Sequence, residues 1–216
     1  MSDWKLKSRE FFALGEAERR ELERHAVERR FSKGETLWLE GDKPETFWML
    51  RSGRVKLVME SAEGASRILR FYTPGQSFCP ASILLNREYE SAAVAASDVV
   101  VLAVPAARVR EVFDRLPGLA RDLLMQMAAE TLDARSREAA SSAPVKTRMA
   151  LLLTRLRRQF QAQRMPLTRQ DLADMSGTAV ETACRTLSQW EKDGVIESLR
   201  GSLLVRKPEL LEEMAV

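Results

Sequence analysis

The chain has 216 residues, 45% of them apolar, with 34 Lys or Arg against 31 Asp or Glu, a formal net charge of +3 and a single histidine. That length suits two compact domains, and the apolar share excludes an intrinsically disordered chain. No apolar run reaches the roughly 20 residues that span a bilayer, and the start MSDWKLKSRE has no apolar secretory core, so the expectation is a cytoplasmic protein with no membrane partner.

Glu16 to Arg30 reads as a charged helix with Leu22 and Ala26 inward, and His25 in its ERHAVERR run as a solvated helix residue. From Phe31 the pattern changes to short extended runs: Phe31–Trp38, Thr46–Leu50, Arg54–Met59, Arg67–Tyr72 and Val99–Val104. Turns at Gly34, Gly41-Asp42, Ser52-Gly53, Glu63-Gly64 and Pro74-Gly75 break them. Short strands between regular turns predict a small antiparallel β-roll, and such a roll has room for one ligand inside it.

After Pro105 the pattern becomes helical, Ala106 to Phe113, and Pro117 starts a longer helix to about Ala140. Along it Ala120, Leu123, Met127, Thr131 and Ala134 recur at threes and fours as a stripe. Burial against its own roll is one reading. Pairing with a twofold mate in a homodimer is preferred, because this helix joins the two domains and such a stripe needs a partner along its length. Ser141-Ser142-Ala143-Pro144 then forms a hinge.

Thr168 to Trp190 fits two short helices joined by a tight turn. Thr168 with Asp171 makes a capping box, Gly177 supplies a left-handed turn residue, and Thr178 with Glu181 repeats the cap-plus-acid pattern. On the second helix Ala183, Leu187 and Trp190 share an inward face. Val180, Glu181, Thr182, Cys184, Arg185 and Ser188 are left outward. Glutamate accepts from a cytosine amino group and arginine bonds both major-groove acceptors of guanine, so Glu181 and Arg185, one turn apart, suit neighbouring base pairs of double-stranded DNA. Gly194–Leu199 and Ser202–Val205 around Arg200-Gly201 read as a β-hairpin wing, with Arg200 facing DNA. Residues 144–207 hold twelve Lys or Arg against six Asp or Glu, while the preceding part of the chain balances at zero. An excess on one segment is the footprint of a phosphate-backbone binder.

The fold class expected is α+β: an N-terminal antiparallel β-roll (1–116), a long dimerisation helix and hinge (117–143) and a C-terminal winged helix-turn-helix (144–216). No histidine–carboxylate cluster, Ser-His-Asp set, P-loop or dinucleotide motif is present, so the chain reads as no enzyme. The alternatives are a regulator governed by its own abundance or a protein partner, and a ligand-binding or enzymatic roll with an accessory helical domain.

With KGETLWLEGD, LRSGRVKL and TPGQSF in the roll, LLMQMA in the long helix and TRQDLADMSGTAVETACRTL in the reading motif, nearly the whole chain resembles the Crp/Fnr family of bacterial transcription regulators. The resemblance implies a cyclic-nucleotide-binding-like, cupin-like roll controlled by a small-molecule, haem or gas, or redox signal. It also implies base reading by Glu181 and Arg185, phosphate contacts by Thr168 and Gln170, and RNA polymerase as a partner. Val180 looks like the Fnr branch, with a palindromic TTGAT-like site. Cys184 replaces that branch's serine, which leaves the outer base of the half-site open. Cys184 also reads as a thiol whose oxidation weakens DNA binding.

The ligand site departs from the cyclic-AMP pattern. Cys79-Pro80 stands where cyclic-AMP-binding members carry Gly-Glu, and Glu90-Ser91 where they carry Arg-Ser. A carboxylate in place of the guanidinium repels a cyclic phosphate, so cyclic AMP is not expected in the usual pose. Arg87 is the nearby cation for an anionic ligand. The Fnr-type iron–sulfur cluster is excluded, because Cys79 and Cys184 are the only two cysteines; they fall in different predicted domains, which argues against an intrachain disulfide. Cys79 lies where the family's carbon-monoxide sensor carries a haem cysteine ligand. It reads either as a possible haem iron ligand or as a small buried strand residue.

Overall fold

The computed structural model describes residues 20, 23–60, 66–78, 80–115, 117–160 and 164–215, without the side chains of 113, 114, 117–123 and 126. The chain divides into two compact units, residues 1–64 with 69–133 and residues 65–68 with 134–216. The division near residue 133 falls inside a long helix.

The first unit is built on two four-stranded antiparallel sheets. One has the order β1 (Val27–Phe31), β8 (Val99–Pro105), β3 (Thr46–Ser52), β6 (Ser77–Phe78); the other has the order β2 (Thr36–Trp38), β7 (Ala92–Ala95), β4 (Val55–Glu60), β5 (Ser66–Tyr72). The unbroken apolar runs of β3 and β8 are explained by burial on both faces. Trp48 and Leu50 of β3, with Val99, Val101 and Ala103 of β8, enter a core shared with Trp38, Leu57, Tyr72, Phe78 and Tyr89. The alternate residues Phe47, Met49, Leu102 and Val104 enter a second core with Ile83, Ala106 and Val109. Ile83 comes from α1 (Pro80–Leu85), and Ala106 and Val109 from α2 (Ala106–Arg115). The long helix α3 (Pro117–Ala139) follows, and a 3-10 turn at Ala140–Ser142 leads to Ala143 in extended conformation before Pro144.

Three expectations for this unit change. Val27–Arg30 does not continue a helix, although residues 23–25 are helical and Ala26 does pack on the second core. It is the edge strand β1, pairing Val27 with Ala103 through to Phe31 with Val99. Its charges suit an edge: Arg30 and Arg51 both pair with Glu28 at 2.7 Å, and the Arg29 guanidinium lies 5.8 Å from the Trp48 ring centroid. The run Phe31–Trp38 holds the end of β1 and all of β2, parted at Gly34. The strand Ala92–Ala95, between β2 and β4, had no strong sequence signal, because two of its alanines fill narrow core positions that larger residues would overpack. Leu22 lies outside the described residues.

The second unit is a helical bundle with a three-stranded sheet. Helix α4 (Val145–Phe160) buries Met149, Ala150, Leu152, Leu153 and Leu156. It contacts α5 (Arg169–Ser176), α6 (Val180–Lys192) and α7 (Pro208–Met214). The sheet order is β10 (Ile196–Leu199), β11 (Ser202–Val205), β9 (Arg164–Met165), the last strand being unforeseen. Among the described residues no helix is long and apolar enough to cross a membrane.

Candidate nucleic-acid interface

Local chemistry sets the two helices of the reading motif. The Thr168 hydroxyl accepts the Asp171 N–H at 3.1 Å while the Asp171 carboxylate accepts the Thr168 N–H at 2.9 Å, a complete capping box. Gly177 closes α5 at φ 62°, and its N–H and that of Thr178 both donate to the Ala173 carbonyl. That ending commits Thr178 to the first helix. The residue capping α6 is therefore Ala179, which has no side-chain cap, and the expected Thr178 cap is corrected.

Ala183, Leu187 and Trp190 are buried beneath α6, which leaves Glu181 and Arg185 exposed one turn apart. Neither has a protein partner among the described residues. Gln189 continues the same stripe, a residue that the sequence reading passed over although it stands four beyond Arg185. Val180, Thr182 and Cys184 are half-buried at its edges, and Cys184 is a free thiol. Ser188 is corrected: its hydroxyl accepts from Arg169 at 2.9 Å and so faces α5 and not outward. Gln170 is exposed and donates to Asp174 at 2.7 Å. The β10–β11 hairpin pairs Leu199 with Ser202, so Arg200 sits exposed at the wing tip.

Arg169 and Arg148 carry roles that the sequence reading did not foresee. Arg169 links both helices and the wing. Arg148, on the first turn of α4, donates to the carbonyls of Ser141 at 3.1 Å, Ala143 at 3.2 Å and Gly177 at 3.4 Å, so it ties the hinge to the turn of the reading motif. No local pattern announces either role, because their partners are distant in sequence or are backbone carbonyls.

Along α3 the large apolar side chains exposed among the described residues are Leu124, Met125 and Leu132, each 64–65% exposed, with the exposed Ala128 between them. Of the expected stripe, three members have described side chains. Met127 is half-buried, the exposed Thr131 turns its hydroxyl back to the Met127 carbonyl at 2.8 Å, and Ala134 is exposed. The side chains of Ala120 and Leu123 lie outside the described residues. Met127 shares its half-buried face with Glu130, which pairs with Arg70 of β5.

At the roll, Cys79 lies outside the described residues. Arg87 is exposed just after α1. Glu90 is exposed, whereas Ser91 is buried with its carbonyl accepting the Trp38 indole N–H at 2.9 Å. Trp38 stacks on Tyr89 at 4.3 Å and on Phe78 at 5.4 Å.

Residues 28–116 match the cyclic nucleotide-binding domain and residues 147–214 the Crp-like helix-turn-helix domain, together more than half of the chain. The chain is 29% identical over 188 residues to the cyclic AMP receptor protein of Thermus thermophilus, covering 87% of each. It is 28% identical over 178 residues to the transcriptional activator protein FnrA of Stutzerimonas stutzeri, covering 79% of this chain and 72% of that one. The fold is similar to that of FixK2 from Bradyrhizobium japonicum, with a TM-score of 0.79 at 24% identity over 88% of this chain and 98% of that one. Such relatives are regulators and not enzymes. With a roll of the first kind and a reading motif of the second, the chain belongs to the Crp/Fnr family of signal-controlled, DNA-binding transcription regulators.

Proposed function

We propose that this regulator works in the cytoplasm as a homodimer on a palindromic site with TTGAT-like half-sites, and that it acts on RNA polymerase bound nearby. Residues 1–116 serve as sensor, 117–143 as dimerisation helix and hinge, and 144–216 as DNA reader. The observation that carries the reading is the exposed, unpaired Glu181 and Arg185 on a helix anchored by Ala183, Leu187 and Trp190. Val180, Thr182, Cys184 and Gln189 border that pair, while Thr168, Gln170 and Arg200 flank it as phosphate contacts. The exposed Leu124, Met125 and Leu132 support pairing of α3 with a second copy, since a solvent-facing apolar seam on a helix of this length favours a twofold mate.

The signal enters at the roll, with Cys79 and Arg87 as candidate residues and haem, an organic anion or thiol oxidation as the candidate inputs. Cyclic AMP in the usual pose is not the ligand. Support comes from the exposed Glu90 carboxylate and from Ser91, which is buried against Trp38. Whatever the input, it controls DNA binding only through its different affinity for two arrangements of roll and helix.

A gel shift on a palindrome of TTGAT half-sites tests the DNA reading. Arg185→Ala is expected to weaken binding by about 1–3 kcal/mol per half-site. Equal binding by the variant, or none by the wild type, overturns the assigned site. An absorbance spectrum with and without added haem tests the sensor side: a Soret band that shifts in Cys79→Ala supports haem, and a flat spectrum removes it.

A further inference from the structure

Arg169 carries a fork of hydrogen bonds through the middle of the reading module. It stands at the first helical position of α5, directly after the cap Thr168. One terminal nitrogen donates to the Cys184 carbonyl at 3.3 Å and the Ser188 hydroxyl at 2.9 Å, both on α6. The other donates to the Glu191 carboxylate, on the same helix, and to the Ser198 hydroxyl on β10 at 3.2 Å. The second oxygen of Glu191 accepts the Ser198 backbone N–H at 2.8 Å. Both charged side chains are about two-thirds buried, at 33% and 30% exposed.

A guanidinium has five N–H donors in one plane. Arg169 directs its two terminal nitrogens at four protein acceptors, so neutralising a DNA phosphate would require it to give up part of that set. Ser198 lies two residues before the wing tip Arg200. Beyond the buried Ile196, β10 is only half-buried through Glu197, Ser198 and Leu199, so apolar packing alone holds this half of the wing loosely. The link from Ser198 to Glu191 and Arg169 supplies the missing constraint.

We infer that Arg169 and Glu191 are a positioning pair for sequence reading: through Ser198 they set the wing against the recognition helix, so that Arg200 and Arg185 reach one stretch of DNA together. The pair touches no base itself. Its effect appears where both groups must land at once, on a sequence-specific site, and vanishes on DNA bound by charge alone.

The test uses the full chain and two duplexes, one selected by the wild-type protein from a randomised pool and one randomised, so that no half-site need be assumed. Arg169→Lys keeps the charge and removes the fork. Its affinity for the selected duplex is expected to fall about tenfold or more, with affinity and salt slope on the randomised duplex unchanged. Combined with Arg200→Ala, its effect on the selected duplex is expected to be less than additive. Glu191→Gln leaves Arg169 charged and is expected to give the same pattern, which keeps the test decisive if Arg169→Lys does not fold. An equal loss on both duplexes with a salt slope smaller by about 1 per protomer makes Arg169 a phosphate contact and overturns the inference. Full additivity with Arg200→Ala overturns it as well, as does loss of helical circular dichroism in both variants, which assigns the pair to stability alone. Failure of the wild type to select any duplex removes the DNA-reading assignment and the inference with it.

Discussion

Arg70 of β5 and Glu130 of α3 form an ion pair at 3.0 Å, with side chains 22% and 26% exposed. The Arg70 guanidinium also lies 5.1 Å from the Tyr72 ring centroid, and its Nε is buried with no partner among the described residues. The pair therefore fixes which face of α3 turns to the roll, and so which face presents Leu124, Met125 and Leu132. Glu130→Gln leaves a half-buried guanidinium without its counter-charge and is expected to cost about 1–3 kcal/mol in urea unfolding. Adding Arg70→Met recovers part of that loss if the uncompensated charge causes it. A double variant no more stable than Glu130→Gln would place the cost in packing.

Glu191 gives the reading module an acid limit. Hydrogen bonds from Ser198, its hydroxyl foremost and then its backbone N–H, together with the Arg169 charge, outweigh desolvation and hold the carboxyl below the ordinary glutamate range. Because the folded value is the lower one, the stabilisation is present above the unfolded value, about 4.3, and is lost as pH falls through the folded value. The stability difference between wild type and Glu191→Gln is expected to be full near neutrality and to close below that point. Urea midpoints measured across the acid range check it, and a difference that widened on acidification would contradict the sign.

Two glycines with similar backbone angles are expected to respond differently to alanine. Gly53, at φ 84° between β3 and β4, would place a Cβ 2.2 Å from the Asp98 carbonyl oxygen. Backbone atoms cannot yield there. Gly177, at φ 62°, has nothing within 4 Å of the added carbon, so only the left-handed backbone opposes it. Thermal unfolding is expected to show about 1 kcal/mol lost in Gly177→Ala and roughly 2–4 kcal/mol in Gly53→Ala.

Trp190 is 1% exposed, and its indole N–H has no partner among the described residues. Trp190→Phe keeps most of the buried area and removes an unsatisfied donor, so it is expected to cost less than about 1.5 kcal/mol. Trp190→Ala opens a cavity under the recognition helix and is expected to cost about 3–5 kcal/mol. Chemical denaturation of both variants decides between a packing role and a polar one, since similar losses would contradict the packing account.

The elements that could be read from the chain are those whose causes lie within a few residues. Pro117 starts α3, Thr168 and Asp171 cap α5, Gly177 ends it, and the spacing of Ala183, Leu187 and Trp190 turns Glu181 and Arg185 to solvent. Elements whose causes lie across the fold could not. Val27–Phe31 is arginine-rich and becomes a strand only because β8 pairs with it, and Ala92–Ala95 is a strand because β2 and β4 flank it.

By itself, then, the sequence determined the β-roll, the long helix, the winged helix-turn-helix and the solvent-facing pair Glu181 and Arg185 on its second helix, because helix periodicity, caps and turns are short-range physics. Only the tertiary structure decided which face of α3 stays exposed, that Ser188 turns inward, and that Arg169 meets Glu191 and Ser198. Those residues are separated by up to 29 positions, and hydrogen bonds across such distances form only once packing has brought three elements together.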